Sequence, residues 1–226
     1  MSSIHAYTAN APHFSASECS EADQAMLEKF QVTTAQLMDV AGLRLAEFVS
    51  QRIDREAKVM VFAGKGHNGG DGIVAARYLK PEGYDVAICL VSTENELSPL
   101  TAKELTFAKT FDIPVYALSD LFEMGPNDLI LDGILGCGLN GPPKPPYRDA
   151  ITRINQSSAT VIAIDIPSGM NATTGESYIP TVAANATLTF SVPKTGFLKN
   201  KVPELFVADI GIPKSIYSEL SSLSSD

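Results

Sequence analysis

The stretch Gly64-Lys65-Gly66-His67-Asn68-Gly69-Gly70-Asp71-Gly72 places five glycines in nine residues. An apolar run, Val59-Met60-Val61-Phe62-Ala63, precedes it, and a helical pattern, Ile73 to Leu79, follows. Strand, glycine-rich turn and helix in that order aim backbone N–H groups at an anionic ligand. Glycine takes positive φ freely and lets a ligand approach the backbone with no Cβ in the way. A tight βα turn that needs glycine only for geometry is the competing reading. Asn68 and Asp71 weigh against it, because they put side-chain chemistry inside the turn.

Gly64, Gly66 and Gly69 also satisfy G-x-G-x-x-G. The dinucleotide fingerprint asks in addition for an acidic residue about 20 positions on, at the end of the second strand. Here the second strand reads Asp85 to Val91, and Glu94 comes late. With no Tyr/Lys or His pattern beside it, an ordinary NAD(P)-dependent oxidoreductase is poorly supported.

After Lys58 the chain alternates strand and helix. Strands are expected at 58–63, 85–91, 128–132, 160–165, 186–191 and 204–208, with a short extra one at 113–116. Helices are expected near 71–80, 98–111 and 147–156. Two more precede the first strand. One, 17–30, follows a capping box at Ser15-x-x-Glu18. The other, 34–53, carries Leu37, Met38, Ala41, Leu45, Phe48 and Val49 at helical spacing. Near-continuous apolar strands such as Val161-Ile162-Ala163-Ile164 imply a sheet covered on both faces. Alternating βα units imply that it is mainly parallel, an α/β architecture. No repeat or domain boundary interrupts the chain, so residues 1–226 read as one domain, with 1–14 as a disordered or loosely packed head.

The 226 residues are 45% hydrophobic, enough for a sizeable core, and no run of about 18 apolar residues suggests a membrane span. The first 16 residues carry no Lys or Arg, which disfavours a cleaved organelle peptide. A net charge of −9 disfavours a nucleic-acid surface. Cys19, Cys89 and Cys137 show neither metal spacing nor a disulfide framework, which suits a reducing compartment.

Three strands run into polar, glycine-containing turns: the glycine loop itself, Asp132 followed by Gly133 to Leu139, and Asp165-Ile166-Pro167-Ser168-Gly169. In a parallel sheet these ends share one edge, where open α/β sheets bind ligands. Asn68, Asp71, Asp132, Asp165 and Ser168 are therefore expected to converge. Each has a structural alternative: a strand-end Asp or Ser can cap a turn, and Asp71 can N-cap the following helix. Cys137 reads as a small buried residue, and Lys65 and Lys144 as solvated.

At these turns the chain resembles the NAD(P)H-hydrate epimerase family, also called the YjeF N-terminal domain family. The glycine loop is similar to that family's N-N-G-G-D-G loop, and Leu37-Met38-Asp39-Val40-Ala41-Gly42 to its L-M-E-x-A-G segment. Asp132 to Leu139 resembles D-x-x-x-G-x-G-L, and 165–169 is D-I-P-S-G. Thr187 to Phe190 with Pro193-Lys194-x-Gly196, then Asp209 to Pro213, complete six ordered matches.

The resemblance implies a Rossmann-like three-layer sandwich with helices on both faces of the sheet. It also implies an isomerase that interconverts the R and S epimers of hydrated NADH and NADPH, repairing nicotinamide cofactors. By motif position, Asn68, Asp132 and Ser168 would hold a potassium ion. His67, Asn68, Gly69, Gly70 and Asp71, with Gly136, Cys137, Gly138, Leu139, Asn140, Gly141 and Pro142, would contact the hydrated cofactor. Asp165 would contact it too, as the acid/base candidate. A homodimer, a cytoplasmic location (with a mitochondrial one as the alternative in a eukaryote) and a dehydratase on a separate chain belong to the same expectation. So does the absence of nucleic-acid and membrane partners. His67 stands where the family usually has Asn, and Asp39 where it has Glu. The alternative is a non-catalytic binding or dimerisation module of the same type.

Overall fold

The computed structural model describes residues 3–8, 11–120 and 123–223, with side chains to residue 220. Eight strands form one sheet: β1 (Ile4–Ala6), β2 (Lys58–Ala63), β3 (Asp85–Leu90), β4 (Val115–Ala117), β5 (Leu129–Gly133), β6 (Thr160–Ile164), β7 (Ala186–Phe190) and β8 (Glu204–Ala208). Their order is β1-β8-β7-β6-β5-β2-β3-β4. All neighbours are parallel except β1, which pairs antiparallel with β8. The helices are α1 (Ala16–Phe30), α2 (Thr34–Ser50), α3 (His67–Leu79), α4 (Pro99–Lys109), α5 (Tyr147–Gln156), α6 (Gly196–Lys199) and α7 (Lys214–Leu223).

The strand pleat separates two cores. Val59, Val61 and Ala63 of β2 face a large layer with residues from α1, α2, α3, α4 and α7. Met60 and Phe62, alternating with them, face a smaller layer with Ala150, Ile151 and Ile154 of α5. This period of two follows from successive side chains pointing to opposite faces of a strand. The three-layer α/β arrangement expected from the sequence is therefore present. No helix among the described residues is long and apolar enough to cross a membrane.

The capping box forms as read. The Glu18 N–H donates to Ser15 Oγ at 3.3 Å and the Ser15 N–H to Glu18 Oε2 at 2.7 Å. A second box, Thr33 with Gln36, starts α2. Asp39 links α2 to α3 by accepting from the Arg77 guanidinium and, at 2.9 Å, from the Tyr78 hydroxyl. Asp at this position thus serves as a tie between the helices.

Three expectations are corrected. The head over 1–14 is not a loose segment where it is described: Ile4–Ala6 pairs with β8 and Phe14 is 1% exposed in the core. Met1, Ser2, Ala9 and Asn10 lie outside the described residues. Helix α3 begins at His67, inside the glycine loop, with Gly66 as its N-cap. Asp71 is therefore the fifth residue of the helix and caps nothing. Its glycines lower intrinsic helix propensity, but close packing decides the outcome: a Cβ on Gly69 would overlap the Gly64 carbonyl oxygen. Finally, α6 and α7 close the chain where the sequence reading placed no element.

Candidate active site

The chain leaves β2 towards β3 and β4 on one side, then returns to build β5 to β8 on the other. The reversal point lies between β2 and β5, and ligands of open α/β sheets bind at the carboxyl ends of such strands. A cleft of about 930 Å³ opens there. The start of α3, the loop after β5, Asp165 and Lys194 line it, and α1, α2 and α7 supply further wall through residues such as Cys19, Asp23, Leu37 and Tyr217.

The β2–α3 turn fits against the turn after β5 because Gly64 has no side chain; a Cβ there would overlap the Ile134 carbonyl oxygen. His67, Asn68 and Asp71 line the cleft, whereas Gly69 and Gly70 are buried within α3 and stand behind its wall. The whole loop 136–142 lines the cleft. Lys65 and Lys144 are exposed at its margin, as read.

Below the cleft, Asp132 and Ser168 are both 0% exposed. Ser168 donates from Oγ to Asp132 Oδ1 at 2.6 Å and from its N–H to Oδ2 at 2.8 Å. The Leu135 N–H donates to Ser168 Oγ at 2.8 Å, and Asn68 Nδ2 donates to the Leu135 carbonyl at 3.2 Å. Asn68, Asp132 and Ser168 thus meet around Leu135, although they come from three separate turns. Burial pushes the Asp132 carboxyl up to about 6, and the hydrogen bonds from Ser168 and the Ile134 N–H restrain the rise. No cationic side chain pairs with it among the described residues.

Asp165 is handled differently. It has φ 64, and the Ile166 N–H donates to the Ile164 carbonyl at 2.7 Å, a γ-turn of the rarer, strained kind. The neighbouring strand ends the same way: Ser191 has φ 65 and the Val192 N–H donates to Phe190 O at 2.8 Å. Such backbone strain concentrates at functional sites. The paired turns bring Asp165 against the end of β7, where its Oδ1 accepts from Thr189 Oγ1 at 3.0 Å and the Phe190 N–H at 3.1 Å. Lys194 Nζ donates to the same oxygen as a buried ion pair, the two side chains being 4% and 15% exposed. Cys137 Sγ donates to Oδ2 at 3.1 Å. Burial works to raise the Asp165 carboxyl, but the Lys194 ammonium outweighs it, and the carboxyl is held below the usual carboxylate range. Lys194 is raised in turn: burial opposes its charge and Asp165 more than restores it.

Lys194 was part of the motif Pro193-Lys194-x-Gly196 but carried no role in the sequence reading. It follows the end of β7, so the strand-end logic that selected Asp132 and Asp165 applies to it as well. Asp23 was missed for a different reason: it sits in an ordinary amphipathic helix.

Residues 34–196 match the family described as YjeF-related protein N-terminus. The chain belongs to this family. It is 36% identical to the NAD(P)H-hydrate epimerase of Rhodopirellula baltica over 208 residues, covering 89% of this chain and 85% of that protein. It is also 36% identical to the NAD(P)H-hydrate epimerase of Weissella koreensis, covering 87% and 90%. The bifunctional NAD(P)H-hydrate repair enzyme Nnr of Hyperthermus butylicus is 39% identical over 80% of this chain, which spans 35% of that protein. The crystal structure of yeast ynu0, YNL200c, superposes with a TM-score of 0.79 at 23% identity, over 92% of this chain and 93% of that one. That likeness supports the fold of the YjeF-related domain. The family match begins with α2 and ends in α6, so the cleft wall from α1 and α7 lies outside it.

Proposed function

We propose that this chain is an NAD(P)H-hydrate epimerase, an isomerase that interconverts the R and S forms of hydrated NADH and NADPH. The observation that carries the reading is the buried Asp165–Lys194 pair lining the cleft of a chain whose relatives, over most of its length, bear that name. No feature of the cleft favours a non-catalytic module.

The hydrated carbon bears a hydroxyl beside the ring nitrogen. Its inversion requires that C–O bond to break and re-form on the other face, or the ring to open and close. When the bond breaks, the nitrogen lone pair forms a C=N bond and positive charge develops on the ring. A fixed carboxylate facing that charge stabilises it without reorganisation. Asp165 suits the task because Lys194 keeps it ionised and three further donors fix its direction. The loop 136–142 and the α3 start would hold the cofactor against it.

Asn68, Asp132 and Ser168 also fit a potassium ion. They offer oxygen donors suited to a hard cation, and the Asp132 carboxylate is buried with no cationic partner among the described residues. Potassium there would supply positive charge beneath the cleft and offset Asp132. In the same proposal the chain works as a cytoplasmic homodimer, and a dehydratase on a separate chain consumes the S form.

The test is to incubate the purified protein with the isolated R epimer of hydrated NADH and follow R-to-S conversion by chromatography, with and without potassium. The reading predicts acceleration over the spontaneous reaction, greater with potassium. Folded protein that leaves the spontaneous rate unchanged would overturn it.

A further inference from the structure

Three carboxyl groups border the cleft where it meets Lys194: Asp165, Asp71 and Asp23. Asp165 takes the ammonium for itself. Asp71, in the second turn of α3, accepts no hydrogen bond and joins no ion pair among the described residues. Since α3 starts at His67 with Gly66 as its cap, Asp71 has no structural task at the helix end. Asp23 reaches the same space from α1 and is likewise without a hydrogen-bond partner among the described residues. The cleft therefore holds one carboxylate with a cation of its own and two carboxyls without one.

We propose that Asp71 is the proton donor of the reaction, working opposite an Asp165 that stays ionised throughout. The inference rests on the epimerase reading and divides its chemistry between two groups. As the C–O bond breaks, its electron pair goes to the oxygen, which takes the Asp71 proton and leaves as water. The nitrogen lone pair forms the C=N bond, and Asp165 faces the resulting positive charge. Water then adds to the opposite face, the π pair returns to nitrogen, and the proton released restores the Asp71 carboxyl through the water of the cleft. The enzyme ends as it began.

The surroundings keep the two groups apart in protonation. Burial raises Asp71 well above the ordinary carboxylate range, and the like charges of Asp165 and Asp23 add to the rise against the pull of Lys194. Asp23, though exposed on α1, is raised as well by the crowding of the cleft and by Asp165, against Lys194 and His67. The thiols of Cys19 and Cys137, which also face this space, are raised by burial and stay neutral. Two titratable groups driven in opposite directions in one site are the pattern of an acid with its ionised counterpart.

The experiment compares the wild type with Asp71→Asn and Asp71→Glu. Difference infrared spectra of wild type against Asp71→Asn at neutral pH should show the carbonyl stretch of a protonated carboxylic acid. Asp71→Asn should lose about a hundredfold or more in kcat, with KM changed little. The fall of kcat/KM with rising pH in the wild type should disappear in Asp71→Asn and persist, at reduced rate, in Asp71→Glu. No protonated-acid band, a kcat within a few-fold of wild type, or an alkaline limb unchanged in Asp71→Asn would each overturn the proposal. The wild-type rate reads the epimerase assignment and the infrared band reads Asp71, so failure of one is told apart from failure of the other.

Discussion

Asp132 and Asp165 end neighbouring strands of one sheet, β5 and β6, and both are withdrawn from water. Their surroundings treat them in opposite ways. Asp132 is met by neutral donors, a hydroxyl and two backbone N–H groups, and its carboxyl rises to about 6. Asp165 is met by a buried ammonium and its carboxyl is lowered. The neutral hydrogen bonds restrain the rise that burial imposes on Asp132 without cancelling it, whereas at Asp165 the Lys194 ammonium, with hydrogen bonds beside it, outweighs burial. Asp165 carries its cation in the chain. Asp132 has none among the described residues, and under the proposed function a potassium ion would supply it.

The largest expected effect comes from removing the internal cation. Lys194→Met strands Asp165 buried and unpaired, and breaking such a pair costs about 3–5 kcal/mol. Denaturant unfolding measures it. The pH dependence supplies the sign: Asp165 is lowered in the folded state, so its pairing stabilises at neutral pH and is lost as pH falls through and below the ordinary carboxylate range. Lys194 is raised, so its share persists to pH above the ordinary lysine range. Lys194→Met should lack both of those losses.

The next effect is catalytic. Asp165→Asn keeps the shape of the side chain but removes the charge that faces the ring, and turnover should drop by about a hundredfold or more. Circular dichroism should show the fold retained, while denaturant unfolding shows reduced stability because the Lys194 ammonium is left buried without its partner. The smallest effect belongs to the neutral cage. Potassium should raise the thermal midpoint of the wild type by about 2–4 °C for each 1 kcal/mol of binding linkage. Asp132→Asn should abolish that rise, and an equal rise in the variant would place the ion elsewhere.

Much of this arrangement was legible in the chain. The near-continuous apolar strands mark a doubly covered parallel sheet, and a parallel sheet places Asn68, Asp132, Asp165 and Ser168 at one edge. What stayed hidden depends on long-range context. β1 is three residues whose pairing with β8 no local pattern announces. The γ-turns at Asp165 and Ser191 put non-glycine residues at positive φ, where sequence gives no glycine to signal the bend. Lys194 stands in a motif with nothing local to show that it is buried, yet it is 3% exposed and paired with Asp165. Asp71 reads as a helix cap only while the helix is taken to begin after it.

The most direct test sets wild type and Asp165→Asn side by side with the R epimer of hydrated NADH, in potassium, following appearance of the S epimer. The account predicts rapid conversion by the wild type and a rate lower by about a hundredfold or more in the folded variant. Equal rates for the two proteins would contradict it.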